Sequence, residues 1–249
     1  MISGKFKSSC EQFEIKRTLG RGKYSDVYQA VDTLTDKLVV IKILKPVRKV
    51  KISREIRILQ ILKGGPHIID LVDCCIDSQT NTPSLVFEYL SSVNLKSIMG
   101  TLNLDEIKTY LYQVLEALHY CHSHGIIHRD IKPMNLIVDN QTKQLKVIDW
   151  GLSEFYHPDK ELNTRVSSRP YKSPELLVGY QLYDFSMDIW SLGCMFAAMI
   201  FRKEHFFLGK DNADQLVKII AILGSNGFFE FVKKYKINVD SGDFPLYKK

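Results

Sequence analysis

The sequence has little cysteine and none of the patterns that make cysteine structural. Five cysteines are spread over 249 residues, Cys10, Cys74, Cys75, Cys121 and Cys194, an odd number without a C-x-x-C pair. That predicts neither a disulfide framework nor a zinc knuckle, and it points to a reducing, intracellular compartment, cytoplasmic or nuclear. Long hydrophobic runs are missing too. The longest spans residues 189–201, well short of the roughly 20 residues that cross a bilayer, so a buried core helix is expected and no membrane association. The first ten residues carry Lys5, Lys7 and three serines without an apolar stretch, which argues against export. There are no repeats and no low-complexity tracts. What is there is the composition of a folded domain, 45% hydrophobic and 11% aromatic, which excludes disordered and collagen-like classes. A chain of this length buries about 70–75% of its unfolded surface and needs no covalent staple.

The net charge of +6 is concentrated. Residues 42–57 hold Lys42, Lys45, Arg48, Lys49, Lys51, Arg54 and Arg57 against the single acid Glu55, and the remaining 27 basic and 27 acidic residues cancel. Such a patch reads as a site for an acidic partner or as a solvated helix face, and charge alone does not choose between them. A nucleic-acid partner would fit the charge but would leave the carboxylates described below unexplained, so no specific nucleic acid is expected.

Strands are expected over 13–19, 24–31 and 38–44, separated by Gly20, Gly22 and a polar turn at 32–36. Pro46 ends the third strand, and a helix follows over 47–62, with Ile52, Ile56, Leu59 and Ile61 at helical spacing. Apolar runs at 68–74 and 84–89 complete a small lobe of five strands and one helix, and Ser91, Ser92 and Asn94 read as a connection. The pattern then turns helical. Ile107, Tyr110, Leu111, Val114, Leu115 and Leu118 form one stripe, with acids in the first turn and Gly125 after the last. Short strands at 136–138 and 145–148 flank a turn, and helices are expected over 187–201 and 212–223.

Three segments carry chemistry. Gly20 and Gly22, followed by Ser25 and Val27, sit on a strand-turn-strand, the geometry of a loop laid over phosphates; a plain two-glycine hairpin reads equally well. Lys42 interrupts an otherwise apolar strand, where an ammonium needs an anion. Glu55, in the only nearby helix, can supply it, although an outward-pointing edge-strand lysine is the plainer alternative. His128-Arg129-Asp130-Ile131-Lys132-Pro133-Met134-Asn135 gathers a carboxylate, two cations and an amide ahead of a strand, and Asp149-Trp150-Gly151 closes the next one. Phosphoryl transfer needs a base for the attacking hydroxyl, a cation near the migrating group and oxygen ligands for magnesium. Asp130, Lys132 and Asn135 with Asp149 match these needs in order.

Together these motifs resemble the eukaryotic protein kinase family. Ser173-Pro174-Glu175 stands in place of the usual Ala-Pro-Glu, and Asp188 and Trp190 open a buried helix. Lys132 after Asp130 favours a serine/threonine kinase. Within the family the chain is most similar to the casein kinase II alpha-subunit family, through Leu19-Gly20-Arg21-Gly22-Lys23-Tyr24-Ser25, residues 40–47 (Val-Ile-Lys-Ile-Leu-Lys-Pro-Val), Asp149-Trp150-Gly151-Leu152, Glu154-Phe155-Tyr156-His157-Pro158 and Trp190-Ser191-Leu192-Gly193-Cys194-Met195.

The resemblance implies an α+β, bilobal protein-kinase fold spanning 13–249. A five-stranded antiparallel sheet with one helix makes the N-terminal lobe (13–90), and a mainly helical C-terminal lobe (91–249) ends short of the family's last helices. It implies Mg2+ with ATP or GTP, catalysis by Asp130, Lys132, Lys42 and Glu55, and metal ligation by Asn135 and Asp149. The nucleotide would lie among Leu19, Gly20, Gly22, Ser25, Val27, Val40, Lys42, Phe87, Glu88, Leu90, Ile137 and Ile148. Serine or threonine followed by acidic residues would be read by Arg48, Lys49, Lys51, Arg165, Arg169 and Lys172, with polyanions as competitors and a regulatory beta subunit of casein kinase II as partner. The alternative is a catalytically weak kinase-fold module that binds nucleotide or the regulatory subunit. Three departures from the pattern stand out: Val50 and Ser53 interrupt the basic run, Met134 replaces a histidine, and Pro170 replaces an aromatic.

Overall fold

The computed structural model describes residues 8–46 and 48–237. Strands β1 (Ser8–Ser9), β2 (Phe13–Arg21), β3 (Ser25–Asp32) and β4 (Lys37–Leu44) precede helix α1 (Lys49–Ile61), and β5 (Leu71–Ile76) and β6 (Pro83–Glu88) follow it. They form one sheet in the order β1-β5-β6-β4-β3-β2. Five strands are antiparallel, as expected. The sixth, β1, adds itself parallel to β5 at the edge.

That edge corrects the cysteine reading. With Ser8 opposite Cys75, the chain brings Cys10 to Cys75, and the two are joined as a disulfide across 65 residues, while Cys74, Cys121 and Cys194 are buried thiols. Counting cysteines cannot anticipate a pair that exists only because a two-residue strand runs beside β5.

Strand alternation decides what β4 offers to each side. Val39 and Ile41 face outward into a small cluster with Phe13, Ala30, Cys75 and Val86. Val40 and Lys42 face the other way, into the cleft. Lys42 pairs in register with Val27 on one side and Leu85 on the other, so β4 is an inner strand and the edge-lysine alternative is wrong. Helix α1 covers this inner face with Ile52, Glu55, Ile56 and Leu59, at the i, i+3, i+4, i+7 spacing that makes one stripe. It begins at Lys49 without a side-chain cap; Val47, where the helix was expected to start, lies outside the described residues.

The second lobe comprises β7 (Ser92–Asn94), α2 (Leu95–Ile98), α3 (Leu104–Ser123), β8 (Ile126–Ile127), β9 (Leu136–Asp139), β10 (Leu145–Val147), β11 (Glu154–Phe155), α4 (Pro174–Leu177), α5 (Ser186–Ile200), α6 (Asn212–Leu223) and α7 (Asn226–Lys234). Segment 92–94, expected as a connection, is a strand paired with β9. Helix α3 starts at a reciprocal capping box, in which Asn103 Oδ1 accepts from the Glu106 amide and Glu106 Oε2 accepts from the Asn103 amide, both at 2.9 Å. Its buried face and that of α5 share one core with α1, Trp150 and α6. Among the described residues no helix is long and apolar enough to cross a membrane. The expected domain end at 249 lies beyond the described residues, and α7 was not anticipated.

Candidate active site

A cleft of about 450 Å³ separates the lobes. Eleven of the twelve expected nucleotide contacts line it: Leu19, Gly20, Ser25, Val27, Val40, Lys42, Phe87, Glu88, Leu90, Ile137 and Ile148. Gly22 does not. Its amide donates to Ser25 O at 2.8 Å, which closes the tip of the β2–β3 turn, and a Cβ there would meet that oxygen at 3.3 Å. Arg17, Ile69, Tyr89, Ser92, Asn94 and Met134 also line the cleft and were missed. Met134 lies inside the His128–Asn135 motif without having been read as a contact; no motif marks the other five, which arrive through strand register and the turn into β7.

On the cleft's inner wall the Nζ of Lys42 lies 2.8 Å from Glu55 Oε1 and 2.8 Å from Asp149 Oδ1. Burial alone would strip this ammonium of its proton, but Glu55 and Asp149 outweigh it and hold the lysine charged above its ordinary range. Burial likewise works to raise the carboxyl of Asp149, and Lys42 overcomes it and leaves it low. The two carboxylates differ in access. The Glu55 side chain is 7% exposed and the Asp149 side chain 49%, so Glu55 anchors the lysine while Asp149 also faces the cleft.

The loop between β8 and β9 and the turn after β10 each hold one residue in an unfavourable conformation. Arg129 has φ 68° and Asp149 φ 61°, left-handed values that cost of order 1 kcal/mol or more outside glycine. Asp188, fully buried at the start of α5, offsets the first by accepting the amides of His128 and Arg129, both at 2.8 Å. Near Asp149, Trp150 is buried in the main core and packs edge-on against His128, ring centroids 4.7 Å apart. His128 is driven toward its neutral form by burial. Its Nδ1 accepts from the Asp130 amide at 3.2 Å and its Nε2 donates to Ile148 O at 3.3 Å, which ties the loop to the residue that follows β10.

Asp130 is held on this frame within a buried polar cluster. Its Oδ2 accepts from Lys132 Nζ at 2.6 Å and from Asn135 Nδ2 at 3.0 Å. Ser168 Oγ lies 3.4 Å from the other oxygen, Oδ1, and 3.1 Å from Lys132 Nζ. Because Asn135 spends its amide nitrogen on Asp130, its oxygen is left for another ligand. That oxygen and the exposed side of Asp149 are two hard donors at one end of the cleft. Among the described residues no three His, Cys, Asp or Glu side chains meet in a metal cage. A magnesium ion suits this arrangement, since it commonly takes one or two protein oxygens and completes its shell with phosphates and water.

A model of the protein kinase domain matches residues 13–241. The chain belongs to the protein kinase family. This kinase is therefore a phosphotransferase with an ATP-binding cleft, and the family generally pairs ATP with a divalent cation, usually Mg2+.

The six expected substrate-reading cations fall into two groups. Arg48, Lys49 and Lys51 are exposed at the start of α1. Arg165 is exposed in the segment that follows β11, whereas Arg169 Nη1 donates to Lys210 O at 2.6 Å and Lys172 Nζ donates to Val166 O at 2.5 Å. Burial and the neighbouring Arg169 lower the pKa of Lys172. Lys172 braces its own segment and Arg169 ties that segment to the loop before α6, as well as carrying charge.

Proposed function

We propose that this kinase transfers the γ-phosphoryl group of ATP or GTP to serine and threonine hydroxyls followed by acidic residues, as a casein kinase II-type catalytic subunit. The observation that carries the reading is the cluster bonded to the cleft-lining Asn135, where Lys132 touches both Asp130 and Ser168. A cation there neutralises charge beside the acceptor hydroxyl, and Ser168, from the segment after β11, bonds to both charged groups.

The chain's own groups divide the work. Lys42, kept charged by Glu55, holds phosphate oxygens. Asp130 has one oxygen occupied by Lys132 and Asn135, and the other, Oδ1, held only by the longer 3.4 Å bond from Ser168, receives the incoming hydroxyl in its place. As that hydroxyl oxygen bonds to the γ-phosphorus its proton passes to Asp130, the bond from phosphorus to the β–γ bridging oxygen breaks, and the nucleoside diphosphate departs. Lys132 stabilises charge on the migrating group. A magnesium ion bound by Asn135 and Asp149 would neutralise phosphate charge.

Base recognition supports use of both nucleotides. The Glu88 carboxylate is turned away, accepting from Lys146 Nζ at 2.5 Å and from the Asp70 amide at 2.9 Å, which leaves backbone groups at Glu88 and Leu90 to meet the purine edge. The exposed Arg48, Lys49 and Lys51, with Arg165, support an acidic substrate and competition by polyanions. A regulatory beta subunit as partner, by resemblance, and an intracellular, cytoplasmic or nuclear location, now resting on the N-terminal residues 1–10 without an apolar stretch and no longer on cysteine usage, complete the proposal. The test is a transfer assay comparing ATP and GTP on peptides matched except for acidic or neutral residues after the serine. Equal use of both peptides would overturn the acid-directed reading.

A further inference from the structure

We propose that Lys45 is a positioning residue for the nucleotide: its ammonium pins the tip of the β2–β3 glycine loop from the outer face of the sheet, so that the loop lies preset over the phosphates. The proposal rests on the kinase reading of the same cleft. Lys45 directly follows β4, whose side chains alternate between the two faces. Val40 and Lys42 line the cleft, while Val39 and Ile41 belong to the outer cluster and Ile43 packs against it. Lys45, whose amide donates to Tyr24 O at 2.9 Å, continues the outer series. Asp26 of β3 stands opposite Ile43, which brings its carboxylate within diagonal reach of Lys45. Lys45 Nζ donates to Gly22 O at 2.7 Å and lies 3.0 Å from Asp26 Oδ1. One residue thus holds Gly22, Tyr24 and Asp26, alternate positions of a turn whose Ser25 lines the cleft.

The carboxylate needs this partner. Asp26 Oδ1 is buried and, among the described residues, no hydrogen bond reaches it, so the ammonium balances its charge through space. The Lys45 side chain is 42% exposed, and water therefore screens the ion pair in part; the charge-assisted bond to Gly22 O adds to the hold. That bond also sets a direction. No described peptide bond is cis, so the N–H of Lys23 points opposite to the Gly22 carbonyl in the same plane. Lys45 draws the carbonyl oxygen, which would repel phosphate, to the outer face and leaves the Lys23 amide on the other edge. Among the described residues that amide makes no backbone hydrogen bond. Without Lys45 the peptide is free to rotate at Gly22, which has no side chain to stop it, and the carbonyl can swing toward the phosphates. Lys42 thus meets the phosphates from inside the cleft, and Lys45 acts on them through the loop.

The experiment compares ATP with adenosine, which has no phosphates for the loop to meet. By calorimetry, Lys45→Met should weaken ATP binding about fivefold or more and adenosine binding less than about twofold. Asp26→Asn, which keeps the bond to Gly22, should have a smaller effect on ATP, and the double variant should be no worse than Lys45→Met alone, because both changes cut one link. Lys45→Arg should hold ATP within about twofold of the native protein. In the transfer assay the KM for ATP should rise with the dissociation constant while the KM for the peptide stays unchanged. Without any nucleotide, amide hydrogen exchange over residues 20–26 should be faster in Lys45→Met, with α3 and α5 unchanged. If Lys45→Met does not fold, Lys45→Gln and Asp26→Asn carry the test. Equal weakening of ATP and adenosine, native exchange over residues 20–26, or a Lys45→Arg protein as impaired as Lys45→Met would each overturn the proposal. A native protein that shows the predicted binding and exchange but transfers no phosphate would instead support the proposal and count against the kinase reading alone.

Discussion

Lys42 Nζ sits 2.8 Å from Asp149 Oδ1 across 107 residues of chain. The same ammonium reaches Glu55 in α1, so one cation joins the sheet, the helix and the turn after β10. Lys42→Met keeps the volume and removes the charge, leaving two carboxylates facing each other without a counter-ion. Turnover should fall by roughly 100-fold or more, with the fold retained by circular dichroism. Turnover within a few-fold of the native rate would remove Lys42 from the mechanism.

Changing Arg48, Lys49 and Lys51 together to alanine should raise the Michaelis constant for acidic peptides about tenfold while leaving that for ATP within twofold, since these side chains are exposed and outside the cleft. Their effect should shrink between low and high salt as screening grows. An equal change in both constants would mean that the substitutions act on the fold.

Much of this site was legible in the sequence because its parts are local. The loop from His128 to Asn135 and the turn at Asp149 each fit in a few residues, and alternation alone turns Lys42 to the face that α1 covers. What escaped was non-local. The Cys10–Cys75 bond depends on β1 lying beside β5, and the cleft residues Ser92 and Asn94 depend on β7 pairing with β9. The anchoring role of Asp188 for two amides is likewise invisible until the buried helix is docked beneath the loop. Arg169 and Lys172 carry the charge expected of them, but their hydrogen bonds to Lys210 and Val166 reflect packing that no charge count contains.

Glu175 offers a test through pH. Among the described residues it forms no ion pair, and Arg202, the one arginine after it in the sequence, donates instead to Gly100 O at 3.1 Å. Burial pushes the Glu175 carboxyl above its ordinary range. A raised folded-state pKa means that the stabilising contribution is present below the ordinary carboxylate pKa and is lost as pH rises through the folded value. At neutral pH this carboxyl group thus opposes folding. Glu175→Gln should melt a few degrees higher than the native protein at neutral pH, and the gain should disappear toward about pH 4. A lower melting temperature at neutral pH would show that the charge is compensated.

The buried tryptophan after Asp149 is expected to be structural. Trp150→Ala removes a fully buried side chain from the core that α1, α3 and α5 share and should cost about 3–5 kcal/mol. Because His128 packs on that ring, turnover should fall along with stability. A variant that melts near the native temperature would place Trp150 outside the core.

The central claim is that Asp130 receives the proton of an acceptor hydroxyl at a site built for phosphoryl transfer. The most direct measurement is transfer of labelled γ-phosphate from Mg2+-ATP to a serine peptide with acidic residues after the serine, made with the native protein and with Asp130→Asn at matched folded concentration. The account predicts phosphoserine with the native protein and a rate lower by roughly 10²–10⁴-fold in the variant, with ATP binding retained. Transfer by Asp130→Asn at the native rate, or none by the folded native protein, would contradict it.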